Sequence, residues 1–174
     1  MPSQERLANI RALVMDVDGV LTDGRIYFDG EGREYKTFHV HDGAGIAYWH
    51  RAGGLTAFIS GRGGPAVEGR AKELGIHEQY LKTHKKSEAL DAFLKARNVR
   101  EDEVAYIGDD LLDLPVLKRV GFATTVPEAR AEVQANVHMV TAVSAGFGAV
   151  RDVIEALLKA RGVWDEVVAK GGLP

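Results

Sequence analysis

"VMDVDGVLTDG", residues 14–24, decides how this chain is read. It completes the apolar run RALVMDV (11–17) and then places carboxylates at positions 16, 18 and 23. A continuous apolar run closed by turn residues reads as a strand buried on both faces. Asp16 and Asp18 stand at the two-residue repeat of a strand, so both project from one face. Like charges that close repel, and they are costly to desolvate unless a cation lies between them. The strand end asks for a positive charge, and the rest of the sequence can be read for what completes the site.

The same grammar recurs along the chain. LTAFIS (55–60), a short run around QYL (79–81) and EVAYIGDD (103–110) read as further strands. They alternate with the helical stretches GAGIAYWHRAG (43–53), PAVEGRAKEL (65–74) and KSEALDAFLKAR (86–97). Pro65 suits a first helical position and Gly75 a stop, while Leu90, Phe93 and Leu94 fall on one helical face. DLPVLKRV, FATTV, ARAEVQA, VHMVTA and FGAVRDVIEALLKARG continue the alternation. This order predicts an α/β fold, a doubly wound, Rossmann-like parallel sheet covered on both faces. Ligands of such sheets collect at the carboxyl ends of the strands. Those ends are where Asp16 and Asp18, Ser60-Gly61-Arg62, Lys86 and Asp109-Asp110 fall.

One segment breaks the pattern. RIYF and REYKTFHV flank DGEG (29–32), a strong turn signal, and predict a protruding β-hairpin over residues 25–41. Ile26, Phe28, Phe38 and Val40 are too apolar for a lone exposed ribbon, and a two-stranded hairpin is marginal by itself. Burial against other copies of the chain would cover them. The tail VWDEVVAKGGLP (163–174) is expected to be flexible, its Gly-Gly giving reach.

Composition bounds the function. The chain has 174 residues, 45% hydrophobic and 27% charged, the profile of one globular domain over residues 1–174. A net charge of −3 gives no reason to expect nucleic acid or an anionic membrane as partner. No apolar run approaches a membrane span and residues 1–11 do not read as a secretory signal, so the expected location is the cytoplasm. With no cysteine there is neither a thiolate ligand nor a thiol nucleophile.

Three carboxylates (Asp16, Asp18, Asp109), the Ser60 hydroxyl and the Lys86 ammonium form a coherent set. Oxygen ligands alone suit Mg²⁺, which favours one or two carboxylates plus a phosphate oxygen. Metal, lysine and strand-end amides make an electrostatic clamp for phosphoryl transfer. One carboxylate could then act as nucleophile, and another could protonate the leaving alkoxide and activate water. Plainer readings stand beside some of these residues. Asp23-Gly24 suits a turn, Ser60 a helix cap, Lys85 a solvated neighbour of Lys86, and Tyr48 and Trp49 helix packing. His39 and His41 lack a third nitrogen or sulfur partner for a transition metal.

The motifs resemble those of the haloacid dehalogenase superfamily of aspartyl-phosphate phosphatases. DVDGVLTDG matches its first motif (D-x-D-G-x-x-x-D-G), SGR (60–62) its second, Lys86 its third and GDDLLD (108–113) its fourth, in family order. The resemblance implies Asp16 as nucleophile and metal ligand, and Asp18 as general acid/base whose carbonyl also meets the metal. Ser60, the Gly61 amide and Lys86 would hold the phosphoryl group. Asp109 would complete a Mg²⁺ site, with Asp110 and Asp113 supporting it. Residues 19–59 and 61–85 leave no room for a cap domain, which points to the capless subgroup.

Within that subgroup the chain is similar to the phosphatases of 3-deoxy-D-manno-octulosonate (KDO) 8-phosphate, enzymes of lipopolysaccharide biosynthesis. The likeness is closest in residues 16–46, VAYIGDDLLDLPVLKRVG (104–121) and AGFGAVRDV (145–153). It implies a small-molecule sugar-acid phosphate as partner, a homotetramer in which hairpins assemble and a neighbour covers each site, and substrate contacts from His39, Val40, His41, Asp42, Gly43, Arg62 and Arg70. The chain departs from the pattern at His41, where a basic residue, usually arginine, is common, and at Ala47 and Phe147, where arginines stand. These departures keep a nine-carbon 2-keto-3-deoxy acid 9-phosphate as a second substrate reading. A receiver-type phospho-switch shares the ingredients but orders them differently: its acceptor follows the third strand, whereas here D-x-D comes first.

Overall fold

Along the chain run α1 (Gln4–Ala8), β1 (Ala12–Met15), β2 (Tyr27–Phe28), β3 (Glu34–Tyr35), α2 (Val40–Arg51), β4 (Leu55–Ile59), α3 (Pro65–Leu74), β5 (Glu78–Tyr80) and α4 (Lys86–Arg97). They are followed by β6 (Val104–Ile107), α5 (Leu114–Leu117), β7 (Phe122–Thr125), α6 (Ala131–Gln134), β8 (Met139–Val140), α7 (Ala149–Ala160) and α8 (Trp164–Ala169). This computed structural model describes residues 1–172. Among them, no helix is long and apolar enough to cross a membrane.

All four residues of β1 are buried, as are those of β6 and β7; β1 and β6 therefore read as unbroken apolar runs, while β7 ends in Thr124 and Thr125, whose hydroxyls donate to Tyr106 O and Gly108 O. The six-stranded sheet has the order β5-β4-β1-β6-β7-β8, and every pairing in it is parallel. The chain steps from β1 outward to β4 and β5, then returns to the other side of β1 with β6. That reversal opens a crevice at the carboxyl ends of β1 and β6, the usual ligand position in an open α/β sheet. The expected doubly wound fold is present. The segments between the four motifs hold only the hairpin, strands and helices of this one domain, with no cap.

The last long helix ties the first third of the chain into the sheet. Asp42, in the first turn of α2, is buried and accepts a hydrogen bond from Arg151 N at 2.9 Å, near the start of α7. A carboxylate there meets an unpaired amide and the positive end of the α7 dipole. Arg161, just past α7, donates to the carbonyls of Ala52 (2.9 Å) and Ile10 (2.5 Å), and its guanidinium lies 4.1 Å from the Trp49 ring centre. Ile46 and Trp49 of α2 are fully buried. The loop before α7 crosses the D-x-D-G turn: Gly146 N donates to Val20 O at 3.0 Å. A β-carbon on Gly146 would lie 2.5 Å from Asp23 N, and its φ is +73°, so the crossing requires glycine.

Two boundaries differ from expectation. The hairpin pairs only Tyr27 with Tyr35 and Phe28 with Glu34. Its turn is closed by Asp29, whose Oδ1 accepts from Glu31 N and Arg33 N at 2.9 Å each. The ladder ends where Lys36 turns inward toward Asp18. Val40 and His41 then belong to α2, which starts three residues earlier than its pattern suggested. His39 caps that start, accepting from His41 N through Nδ1. Ile26, Phe28 and Val40 stay exposed and Tyr35 joins them, whereas Phe38 packs against the core. The tail carries a helix, α8, with Val167 buried, instead of being flexible throughout. Residues 173–174 lie outside the described residues.

Candidate active site

Asp16 follows β1 directly, its N–H donating to Ile107 O of β6 at 3.0 Å. This ladder bond places it in the crevice. Its two oxygens are held separately: Oδ1 accepts from Val17 N at 2.7 Å and Oδ2 from Lys86 Nζ at 2.6 Å. Lys86 opens α4 and is 4% exposed. Its ammonium also donates to Asp113 Oδ1 at 2.7 Å. Lys85 instead is exposed to solvent and pairs with Glu88.

Asp113 is fully buried and its oxygens are saturated. Oδ1 takes Lys86 and the Tyr106 hydroxyl, and Oδ2 takes the amides of Asp109 and Asp110 at 3.1 Å each. It shapes the loop after β6 that carries Asp109. Asp110 caps the following 3₁₀ turn through Leu111 N. A β-carbon on Gly19, which has φ +79°, would lie 2.3 Å from Asp109 Oδ2. The glycine of D-x-D-G therefore lets Asp109 approach the first strand's loop.

The electrostatics are lopsided. Asp16, Asp109 and Asp113 share the one ammonium of Lys86. Burial, then the charges of Asp16 and Asp113, pushes the Asp109 carboxyl up to about 7. Burial and Asp113 likewise raise Asp16 to about 6, against the pull of Lys86. For Lys86, burial alone favours the neutral amine, yet Asp16 and Asp113 outweigh it and raise the pKa. The site is short of positive charge.

A cation fits this deficit. One oxygen from each of Asp16, Asp109 and Asp113 lies within 4.8 Å of the others. Because Asp113 is saturated by its four donors, Asp16 and Asp109 are the side chains with capacity for an ion. An all-oxygen set of this kind suits Mg²⁺.

The cleft above the strand ends has a volume of about 280 Å³. It is lined by Asp16, Asp18, Ser60, Gly61, Arg62, Lys86, Asp109 and Asp110, all of them expected from the sequence, and also by Gly19, Gly24, His84 and Leu112. Ser60 is buried, and its Oγ accepts from Arg62 N at 3.3 Å. Asp23 does turn work, as its spacing suggested, accepting from Arg25 N and the Tyr27 hydroxyl.

Of the residues expected to meet the substrate, only Arg62 lines this cleft. Asp42 is the buried tie to α7. Burial pushes its carboxyl up to about 6, and its Oδ2 has no hydrogen-bond partner. Gly43 and Arg70 pack on each other: a β-carbon at 43 would lie 2.7 Å from Arg70 Nη2. Arg70 itself pairs with Glu73, donates to His39 O and covers the Phe38 ring. All three make packing and hydrogen-bond contacts away from this cleft. His39 and His41 stack edge to face at 4.7 Å beside the exposed Phe147, outside the cleft of their own chain. Val40, also outside it, is exposed.

Sequence reasoning missed Lys36 and Glu34. Lys36 Nζ reaches Asp18 Oδ1 at 2.5 Å and Glu34 Oε1 at 2.9 Å. The two-residue spacing puts 34 and 36 on one face of an extended segment, but nothing local to them points to Asp18.

A doubly wound sheet with D-x-D at its switch point, a buried lysine and a downstream aspartate pair defines a class of phosphoryl-transfer proteins. Sequence and structure comparisons agree. A model of the haloacid dehalogenase-like hydrolases matches residues 69–154. The KDO 8-phosphate phosphatase KdsC of Escherichia coli is 42% identical over 163 residues, spanning 94% of this chain and 86% of that one. The KDO 8-phosphate phosphatase of Moraxella catarrhalis, solved with a magnesium ion, a phosphate ion and a KDO molecule, superposes with a TM-score of 0.94. It is 38% identical and 97% of each chain is covered. The cobalt-bound Haemophilus influenzae phosphatase gives a TM-score of 0.91 at 37% identity, over 95% of this chain and 98% of that one. This chain belongs to the haloacid dehalogenase-like hydrolases, in the branch of the KDO 8-phosphate phosphatases.

Proposed function

We propose that this chain is a Mg²⁺-dependent phosphomonoesterase that converts KDO 8-phosphate to KDO and inorganic phosphate. The observation that carries the reading is Asp16, buried at a strand end with one oxygen on an amide and the other on Lys86, facing Ser60 and Gly61 across the cleft. Asp16 attacks phosphorus, the P–O bond to the sugar breaks, and Asp18 gives its proton to the departing alkoxide. Asp18 then takes a proton from water, which attacks the aspartyl-phosphate; the acyl phosphate bond breaks and phosphate leaves. Ser60, the Gly61 amide and Lys86 hold the phosphoryl oxygens throughout. Asp16, Asp109 and the Asp18 carbonyl would hold Mg²⁺, which would neutralise charge on the phosphoryl group and on the carboxylates around it.

Phosphate release across a panel of sugar-acid phosphates tests the reading. KDO 8-phosphate is expected to be turned over at least about tenfold more efficiently, by kcat/KM, than a nine-carbon 9-phosphate, and EDTA should abolish both activities. Preference for the nine-carbon acid would hand the site to the second reading, which the departures at His41, Ala47 and Phe147 favour.

The cleft, at about 280 Å³, holds a phosphate and part of a sugar, less than the usual 300–1,000 Å³ of a small-molecule pocket. We assign the remaining cover to neighbouring copies in a cytoplasmic homotetramer. The exposed Ile26, Phe28, Tyr35 and Val40 and a hairpin with two paired residues per strand support that assignment. Light scattering at assay concentration should return about four times the 18.9 kDa of one chain; a single-chain mass would end it.

A further inference from the structure

Lys36 follows β3, and its side chain turns away from the hairpin into the rim of the cleft, 4% exposed. Its ammonium sits 2.5 Å from Asp18 Oδ1 and 2.9 Å from Glu34 Oε1. Arg62 closes the ring: Nη2 donates to Glu34 Oε2 at 2.6 Å, and Nε stands 3.8 Å from Asp18 Oδ2. Two cations and two carboxylates therefore alternate, joining the hairpin, the loop after β4 and the D-x-D turn. Asp18 Oδ2 is enclosed and accepts no hydrogen bond. One oxygen of Asp18 is thus held and the other has no hydrogen-bond partner.

Ordering a lysine side chain in this way costs rotamer entropy. Anchoring the hairpin does not explain it, because the Arg62–Glu34 pair already clamps β3 to the cleft. The shorter of the two Lys36 contacts goes to Asp18. We propose that Lys36 is the positioning residue of Asp18, fixing the carboxylate in the orientation in which its unpartnered oxygen exchanges a proton with alkoxide or water. This rests on the acid/base role given to Asp18 above. A general acid or base must stand within hydrogen-bond reach in the right orientation, and a misplacement of about 1 Å can cost on the order of 10²-fold.

A double-mutant cycle on kcat tests it in the full-length, Mg²⁺-loaded protein with KDO 8-phosphate. Lys36→Met is expected to lower kcat by about tenfold or more with KM changed by less than about threefold, and Lys36→Arg, which can span both carboxylates, should recover most of the loss. In an Asp18→Asn background, Lys36→Met should cost less than about threefold further, because its effect passes through a carboxylate no longer there. Multiplicative losses in the double variant would overturn the proposal, as would a rise in KM at unchanged kcat, which would make Lys36 a substrate contact. If Lys36→Met does not fold, Lys36→Gln, which keeps a donor at similar reach, is read through the same cycle. An Asp18→Asn variant with near-wild-type kcat would instead remove the acid/base reading, and the proposal with it.

Discussion

Asp16→Asn is expected to fold, to melt at or slightly above the wild-type temperature, and to lose at least about 10³-fold in kcat. The amide keeps an oxygen for Val17 N, so the local turn survives. It also removes one of three carboxylates crowded around a single ammonium. Burial and Asp113 hold Asp16 up at about 6, which means that the charged form is disfavoured by folding at neutral pH, and neutralising it relieves that cost. Function and stability therefore move in opposite directions, the usual signature of a strained reactive group. Calorimetry and phosphate release on one preparation check both halves. Activity within tenfold of wild type would remove Asp16 as nucleophile, and a collapsed melting temperature would leave the activity loss unattributable.

Lys86→Met should do the reverse to stability while also abolishing activity. The ammonium is 2.6 Å from Asp16 and 2.7 Å from Asp113, and its side chain is 3% exposed. Removing it leaves buried carboxylates without their cation, a change that typically costs about 3–5 kcal/mol. For a domain of this size that is a drop in melting temperature of roughly 6–20 °C. Because the deficit is of positive charge, added Mg²⁺ should recover part of the drop without restoring turnover. Melts in EDTA and in Mg²⁺ decide it. A variant within about 2 °C of wild type in EDTA would show that Lys86 does not balance this cluster.

What could be read from the sequence follows the range of the interactions involved. Strands buried on both faces announce themselves as apolar runs, and helix α3 begins at Pro65 and ends before Gly75, as local chemistry dictates. The D-x-D turn, Ser60, Lys86 and Asp109 were legible because each sits at a strand or helix end and forms a motif with its sequence neighbours. Lys36 was not, since its meaning lies in a contact 18 residues away, across a hairpin that ends earlier than its alternation suggested. Asp42's place was not legible for the same reason. Its neighbours, HVHDG, look like a polar rim, but its partner is an amide at the start of the last long helix. Asp113 was given a supporting role, and only the four donors converging on it reveal how central that support is.

The tie between Asp42 and Arg151 spans 109 residues, and this separation sets a clock on the birth of the molecule. A ribosome adding about 5–20 residues per second needs roughly 5–20 s to travel from one partner to the other. For most of that interval α2 has been made and α7 has not. Ile46 and Trp49, fully buried in the finished protein, lack the helix that covers them, and Arg161 has yet to reach Ala52 and Ile10. A chain that has passed Asp109 but not reached α7, with every candidate site residue already synthesised, is therefore a form of this protein prone to aggregate.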